Sequence, residues 1–475
     1  MPPEGPLIGS GMKALIAEAA IAADMEHRGF LNYGGGNFVE VGSNANDSNP
    51  VVWRITVSDG KVQREMIYGS ESDSSVPKVE DYSHLQSDVF NYWHKAIDDA
   101  FVDWEDFPSA NPLGWDKGAV LKGAAEIRVN AHSDDNTGEA SGANVRLDSD
   151  ISNLMTRTGQ LNGEYAEAFN EKYVTKLRPV LDNLQALTMV LAYSLAGEEE
   201  LFRRTREQIA QVANDSLKAM QASGPKGGDI TGLKIFLIVV GAVCAGVGAV
   251  AAGGVAVPVA LKVAASLTGA GASASGGLLG ALVKPPPEPE PIPLGADHPS
   301  KVLTNLVNGL KDINTRIRTE EQLLVDLLDA TYTDAAPATA AGPFNIAKPE
   351  LIGKTGSSVL ESHQVLVDKE TIAKITELWI PSIVGDLNAC TAELTIGASG
   401  WTRPAGIGLS ATGPWSSYSK LQTGVADLVK DTATELTGSA ESLQAAAADI
   451  GLSDEHVNES YAAQARKITE DNINY

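Results

Sequence analysis

The sequence predicts a mostly α-helical, elongated bundle with a central apolar hairpin and a small N-terminal β-meander. Three observations carry that expectation. Apolar residues recur at three- and four-residue steps over most of the chain, which is the helical period. Only Asn37 to Tyr68 switches to period two. No charge falls between Lys234 and Lys262, and a second uncharged run, Val263 to Val283, follows at once.

Residues 10–28 read as a helix, and Gly34-Gly35-Gly36 is the expected stop. In the next stretch Val52, Arg54 and Thr56 alternate with Trp53, Ile55 and Val57. Ser58-Asp59-Gly60-Lys61 then supplies an Asp-Gly turn, and the chain returns over Val62 to Tyr68, a strong hairpin signal. Two or three strands are expected, too few to stand alone. Ser70 to Val79 is a polar linker. Tyr82, Leu85, Val89, Trp93, Ile97, Phe101 and Trp104 then form one apolar stripe, with Trp93 and Trp104 as core anchors and Pro108 and Pro112 as stops. Gly114 to Ser141 reads as a short helix and a polar loop.

A helix is expected from Ala143 to Gly159. The clearest helix follows, with Leu161, Tyr165, Phe169, Tyr173, Leu177, Val180, Leu184, Leu187, Leu191 and Leu195 in register and Phe202, Ile209, Val212 and Leu217 continuing it. At 1.5 Å per residue it spans about 80 Å, hence the elongated shape. Pro179 should kink it. After the apolar centre, Lys284 and the prolines that follow form a stiff linker. Leu303, Leu306, Leu310, Ile313, Ile317, Leu324 and Leu327 mark the next helix, and Thr331 to Ser357 is a loop. Ile372, Ile375, Trp379, Ile383, Leu387, Cys390 and Leu394 mark another, with Pro381 bending it. Gly397 to Pro414 is a glycine-rich turn. The arm from Trp415 turns Leu421, Val425, Leu428, Leu436, Leu443, Ala447 and Ile450 inward, and a separate short helix is expected over 453–470.

These boundaries divide the chain into an N-terminal helix with meander (1–80), a helical bundle (81–228), the apolar hairpin (229–284), the proline linker (285–299) and a C-terminal helical hairpin (300–475). A hydrophobic content of 43% supports real cores,. The formal charge of −25 argues against nucleic acid as a partner, because a phosphate footprint needs clustered Lys and Arg,. Met12 to Met25 is apolar, but Lys13, Glu18 and Asp24 break it, so it is no classical signal peptide. Cys244 and Cys390 lie far apart in apolar contexts and read as core thiols.

The apolar centre is long enough for a membrane span, which needs roughly 20 residues. Its Gly, Ala and Val content makes it marginal in lipid and awkward in water. Ile235, Phe236, Leu237, Ile238, Val239, Val240, Gly241, Gly248, Leu261, Leu267, Leu278 and Leu279 are the candidate inserting residues. Lys234, Lys262 and Lys284 would set its ends and turn, since charged heads prefer the interface. Gly241, Ala245, Gly248 and Ala252 recur at three- or four-residue steps and would allow close helix approach. A buried core hairpin and a simple membrane anchor are the competing readings.

Catalytic motifs are missing from the sequence. It has no nucleophile elbow, Walker loop, paired-histidine zinc motif or Cys/His cluster,. Asp98-Asp99 and Glu198-Glu199-Glu200 read as solvated helix faces. The expectation is a chain that is not an enzyme and uses no cofactor or metal.

Leu161-Asn162-Gly163-Glu164-Tyr165-Ala166-Glu167-Ala168-Phe169 resembles the turn and second helix of the Trp-x-Gly helical hairpins exported by type VII secretion. Leu161 stands where the Trp belongs, Gly163 is kept as the tight turn, and Tyr165 and Phe169 follow on the next helix. The chain also resembles the larger Esp-type effectors, and the run from Val367 to Ile450 looks like a second such hairpin. There is no literal Trp-x-Gly, and no Tyr-x-x-x-Asp/Glu export signal is found. The resemblance implies a secreted effector, with a lipid membrane and either a co-secreted helical partner or a second copy as partners. In the order long helix, apolar hairpin, returning helices the chain is also similar to cytolysin A-type α-pore-forming toxins. A structural scaffold with a buried hairpin is the remaining alternative.

Overall fold

A computed structural model of the chain describes residues 7–34, 37–41, 52–58, 61–68, 83–129, 144–161, 169–225, 234–235, 292–335 and 369–471. Helices dominate these residues, and one small antiparallel sheet lies near the N-terminus.

Helix α1 (Ser10–His27) buries Ile16, Ala17, Ala20, Ile21 and Met25. Gly29, not the later glycine triplet, ends it. Gly29 has φ +93°, a left-handed conformation that costs a glycine little,. The amides of Gly29 and Phe30 bond back to the carbonyls of Glu26 and Met25. The meander that follows has four strands, more than the pattern suggested: β1 (Leu31–Gly34), β2 (Asn37–Val41), β3 (Val52–Ser58) and β4 (Lys61–Tyr68), paired in sequence order. The register sets Ser58 opposite Lys61, the two-residue connection that Asp59-Gly60 announces. Phe38 pairs with Ile55, and both are buried. Phe38 meets the Phe90 ring edge-on at 6.2 Å and so fastens the sheet to the helices.

One turn, α2 (Ser83–Leu85), and a π-helical turn (Gln86–Asn91) lead into α3 (Tyr92–Glu105), which buries Trp93, Ile97, Phe101 and Trp104. Pro112 does not stop a helix but opens one. It occupies the first turn of α4 (Asn111–Glu126), where a missing N–H is harmless,. Asn144 caps α5 (Val145–Thr158) by accepting the Leu147 amide. A π turn (Asn170–Val174) precedes α6 (Thr175–Ala222), which is 48 residues long, about 72 Å,. Arg178 of α6 reaches Asp148 of α5 at 2.6 Å, so these helices fold back on one another.

After the apolar centre come α7 (Pro299–Ala335), α8 (Lys369–Lys374), a π turn (Ile375–Trp379), α9 (Ile380–Glu393) and α10 (Trp415–Asp471). Helix α10 runs unbroken through 453–470, where the sequence suggested a separate helix. A π turn lies just upstream of each proline expected to bend its helix, Pro179 and Pro381. A proline removes one i→i−4 bond, and a π turn is one way for the ladder to absorb that loss.

Helix α6 is the pillar, packed by α1, α4, α7 and α10. One continuous apolar cluster runs from Ile8 through α6 to Leu443, so the first and last segments share a core. Cys390 is a free, buried thiol that burial pushes up to about 12. Cys244 lies outside the described residues.

Candidate functional site at the neck of the apolar insertion

The sequence-predicted site meets the described structure only at its ends. Ile235 belongs to strand β5 (Lys234–Ile235), which pairs antiparallel with β6 (Ile292–Pro293). Phe236, Leu237, Ile238, Val239, Val240, Gly241, Gly248, Leu261, Leu267, Leu278 and Leu279 lie outside the described residues, as do Lys262, Lys284, Ala245 and Ala252. Among the described residues no helix is long and apolar enough to cross a membrane. Of the Trp-x-Gly-like turn, Leu161 is half-buried against the core, and Phe169 is buried with its ring 5.7 Å from Tyr173. Gly163 and Tyr165 lie outside the described residues.

The ends themselves are built with care. Helix α6 finishes at Ala222, and the buried Ser223 turns its hydroxyl back to the Met220 carbonyl at 2.8 Å. The free Ser223 carbonyl accepts from His27 Nε2 at 2.8 Å. His27 is the last residue of α1. Its ring lies against that of His298, with centroids 4.6 Å apart and planes 31° apart. His298 in turn opens α7: its carbonyl accepts the amides of Lys301 and Val302, and its Nδ1 accepts the amide of Ser300 at 3.2 Å. One histidine therefore marks where the chain leaves the bundle and the other where it returns. The β5–β6 pairing holds the same two ends together. An open pocket of about 430 Å³ lies over this contact, lined also by Asp24, Arg28, Asp88, Tyr92, Trp93 and Ser300. Asp24 is buried, ion-paired to Arg28 at 3.0 Å and accepting from the Trp93 indole at 2.9 Å.

A second cluster lies in the interior. Arg403, from the turn between α9 and α10, is wholly buried between Glu198 of α6 and Glu321 of α7. It reaches Glu198 at 3.0 Å and donates to Glu321, and its guanidinium stacks over the Phe202 ring at 5.0 Å. The Leu409 amide donates to the other Glu321 oxygen at 2.6 Å. The surrounding turn is clamped by Asn314, which bonds Gly406 and Gly408, and by Arg318, which donates to the Gly408 carbonyl at 2.8 Å. Gly413 has φ +48°, and any side chain there would also overlap the Arg403 guanidinium. Burial raises both carboxyls. Glu321, raised further by the neighbouring Glu198 charge, reaches about 8. One guanidinium faces two buried carboxyls, and burial favours a proton on one of them.

Glu198 is thus not on a solvated face, as the Glu198-Glu199-Glu200 run suggested. It faces inward, while Glu199 and Glu200 pair with Lys117 and Arg203 at the surface. The available signal was Arg403, the lone charge between Glu393 and Lys420. No comparable signal pointed to His27 or His298. Among the described residues no group of three or more His, Cys, Asp or Glu is placed to hold a metal ion. Trp115 is 70% exposed on α4, but the charges in the grooves beside it are already paired.

No protein-family model, no curated protein and no solved structure matches the chain.

Proposed function

We propose that this chain is a secreted, non-enzymatic effector of the type VII kind, which engages a lipid membrane through its apolar centre, residues 235–283. The observation that carries the reading is the neck. The chain departs at Ser223 and returns at His298, and β5 and β6 join the two ends while the helices on either side share one core. An apolar segment attached in this way can change its surroundings without unfolding the body that carries it. Moving buried apolar surface from protein to lipid involves little net change at roughly 25 cal/mol per Å², and near balance is what a two-state segment needs.

The test is flotation and dye release with mixed phosphatidylcholine–phosphatidylserine vesicles. The full chain should float and the variant with 236–291 replaced by a Gly/Ser linker should not. If both remain at the bottom of the gradient at every pH, the scaffold reading takes its place. Export is tested separately: the chain should reach the culture filtrate only when the type VII ATPase is intact.

A further inference from the structure

The geometry points to the His27–His298 contact as a proton-operated clasp that parts the start of α7 from the ends of α1 and α6 when His298 takes up a proton. Only the purpose of the release rests on the membrane reading above. The clasp itself rests on what each ring does.

Nδ1 of His298 acts as a hydrogen-bond acceptor. The Ser300 amide can only donate, so Nδ1 must offer a lone pair, and the ring hydrogen is on Nε2,. A protonated imidazole carries hydrogens on both nitrogens and cannot accept that bond. The Ser300 hydroxyl, 2.8 Å from the same nitrogen, can reverse its role and stay. The backbone bond that starts α7 cannot. A positive charge there also faces the positive end of the helix dipole.

His27 is placed in the opposite sense. It is the last residue of α1 and donates to a carbonyl at the end of α6. A charged His27 keeps its bond and lies beside the negative ends of two helices. Two charged rings at 4.6 Å repel,, so protons on both rings part them. Imidazole is the side chain that titrates in mildly acidic conditions.

The other charges around the contact do not reverse this sign. On α1, Asp24 is committed to Arg28 and Trp93. Beside His298, Lys301 at 2.8 Å holds the Asp297 carboxyl below the usual carboxylate range. Asp88 and Tyr92 line the pocket from the α2–α3 segment. Glu26 lies close to Gly224, where an added Cβ would meet its carboxylate at 2.6 Å. Asp88 and Glu26 attract charge to either ring, but neither supplies the lone pair that Nδ1 gives up.

The experiment compares the full chain with His298→Asn, an uncharged residue that caps helices well. Hydrogen exchange, corrected for the intrinsic effect of pH, is read at about pH 7.5 and about pH 5.5. In the parent chain, protection over 219–225 and 292–302 should fall about tenfold more than over α10. In His298→Asn it should not. Equal loss in both chains, or none in either, overturns the clasp whatever the vesicles show. Vesicle flotation of the same samples separates the two ideas. Neck opening without flotation supports the clasp and counts against the membrane reading. Flotation at both pH values by both chains, with no neck opening, supports the membrane reading and overturns the clasp.

Discussion

Arg403 is wholly buried between two glutamates, whereas His27 and His298 meet at the edge of an open pocket. Both contacts join parts of the chain distant in sequence, and both involve titratable groups. They differ in solvation. The interior cluster is closed off from the surface, so losing one member leaves a charge stranded in a poor solvent. The neck contact keeps water at hand, so losing a partner costs little and the change reverses readily. The first arrangement suits a permanent fastening of α6, α7 and the turn before α10. The second suits a contact that opens.

Three perturbations sharpen that contrast. The largest effect is expected from Arg403→Met, which strands Glu198 and Glu321. It should lower unfolding stability in urea by about 3–5 kcal/mol, with part of the loss recovered when Glu198→Gln is added. An unchanged urea midpoint would remove the cluster from the account of stability.

A pH titration is next. Burial and the Glu198 charge raise Glu321 to about 8 in the folded chain, against about 4.3 when unfolded. The folded state therefore binds a proton that the unfolded state releases. This contribution is complete below the unfolded value and is lost as pH rises towards 8. Across that window Glu321→Gln should gain on the parent by up to about 1.4 kcal/mol per pH unit. Parallel stability curves for the two chains would show that the cluster does not hold the proton.

The smallest global effect belongs to the neck. His27→Ala removes one hydrogen bond and one ring contact, about 0.5–1.5 kcal/mol. Its signature should be local: faster exchange over 219–225 with the urea midpoint nearly unmoved. A large global loss would place the neck among the permanent fastenings instead.

The helices were legible because their stripes are long. Trp93, Leu306, Ile383 and Val425 fall on the buried faces that their spacing predicts. The meander was legible from Asp59-Gly60, but its outer strand β1 was not, because four residues ending in glycine carry no period. The stop of α1 was misplaced for a related reason. A single Gly29 in a left-handed conformation is a weaker mark on the page than three glycines in a row. The charge cluster escaped because an acidic run on a helix usually means water. What overruled that was tertiary: α7 and the turn at Arg403 close over Glu198, and no local pattern announces a cover that arrives more than a hundred residues later. The histidines escaped for the same reason, their contact being set by where two distant helix ends coincide.

The short ladder between Lys234–Ile235 and Ile292–Pro293 has one further consequence. By tying the two strands together it closes a ring in the chain. The entropic term for closing a ring grows only by about 0.6 kcal/mol for each doubling of its length. That term alone would let residues be added or removed between the two strands at little expense to the ladder that joins them.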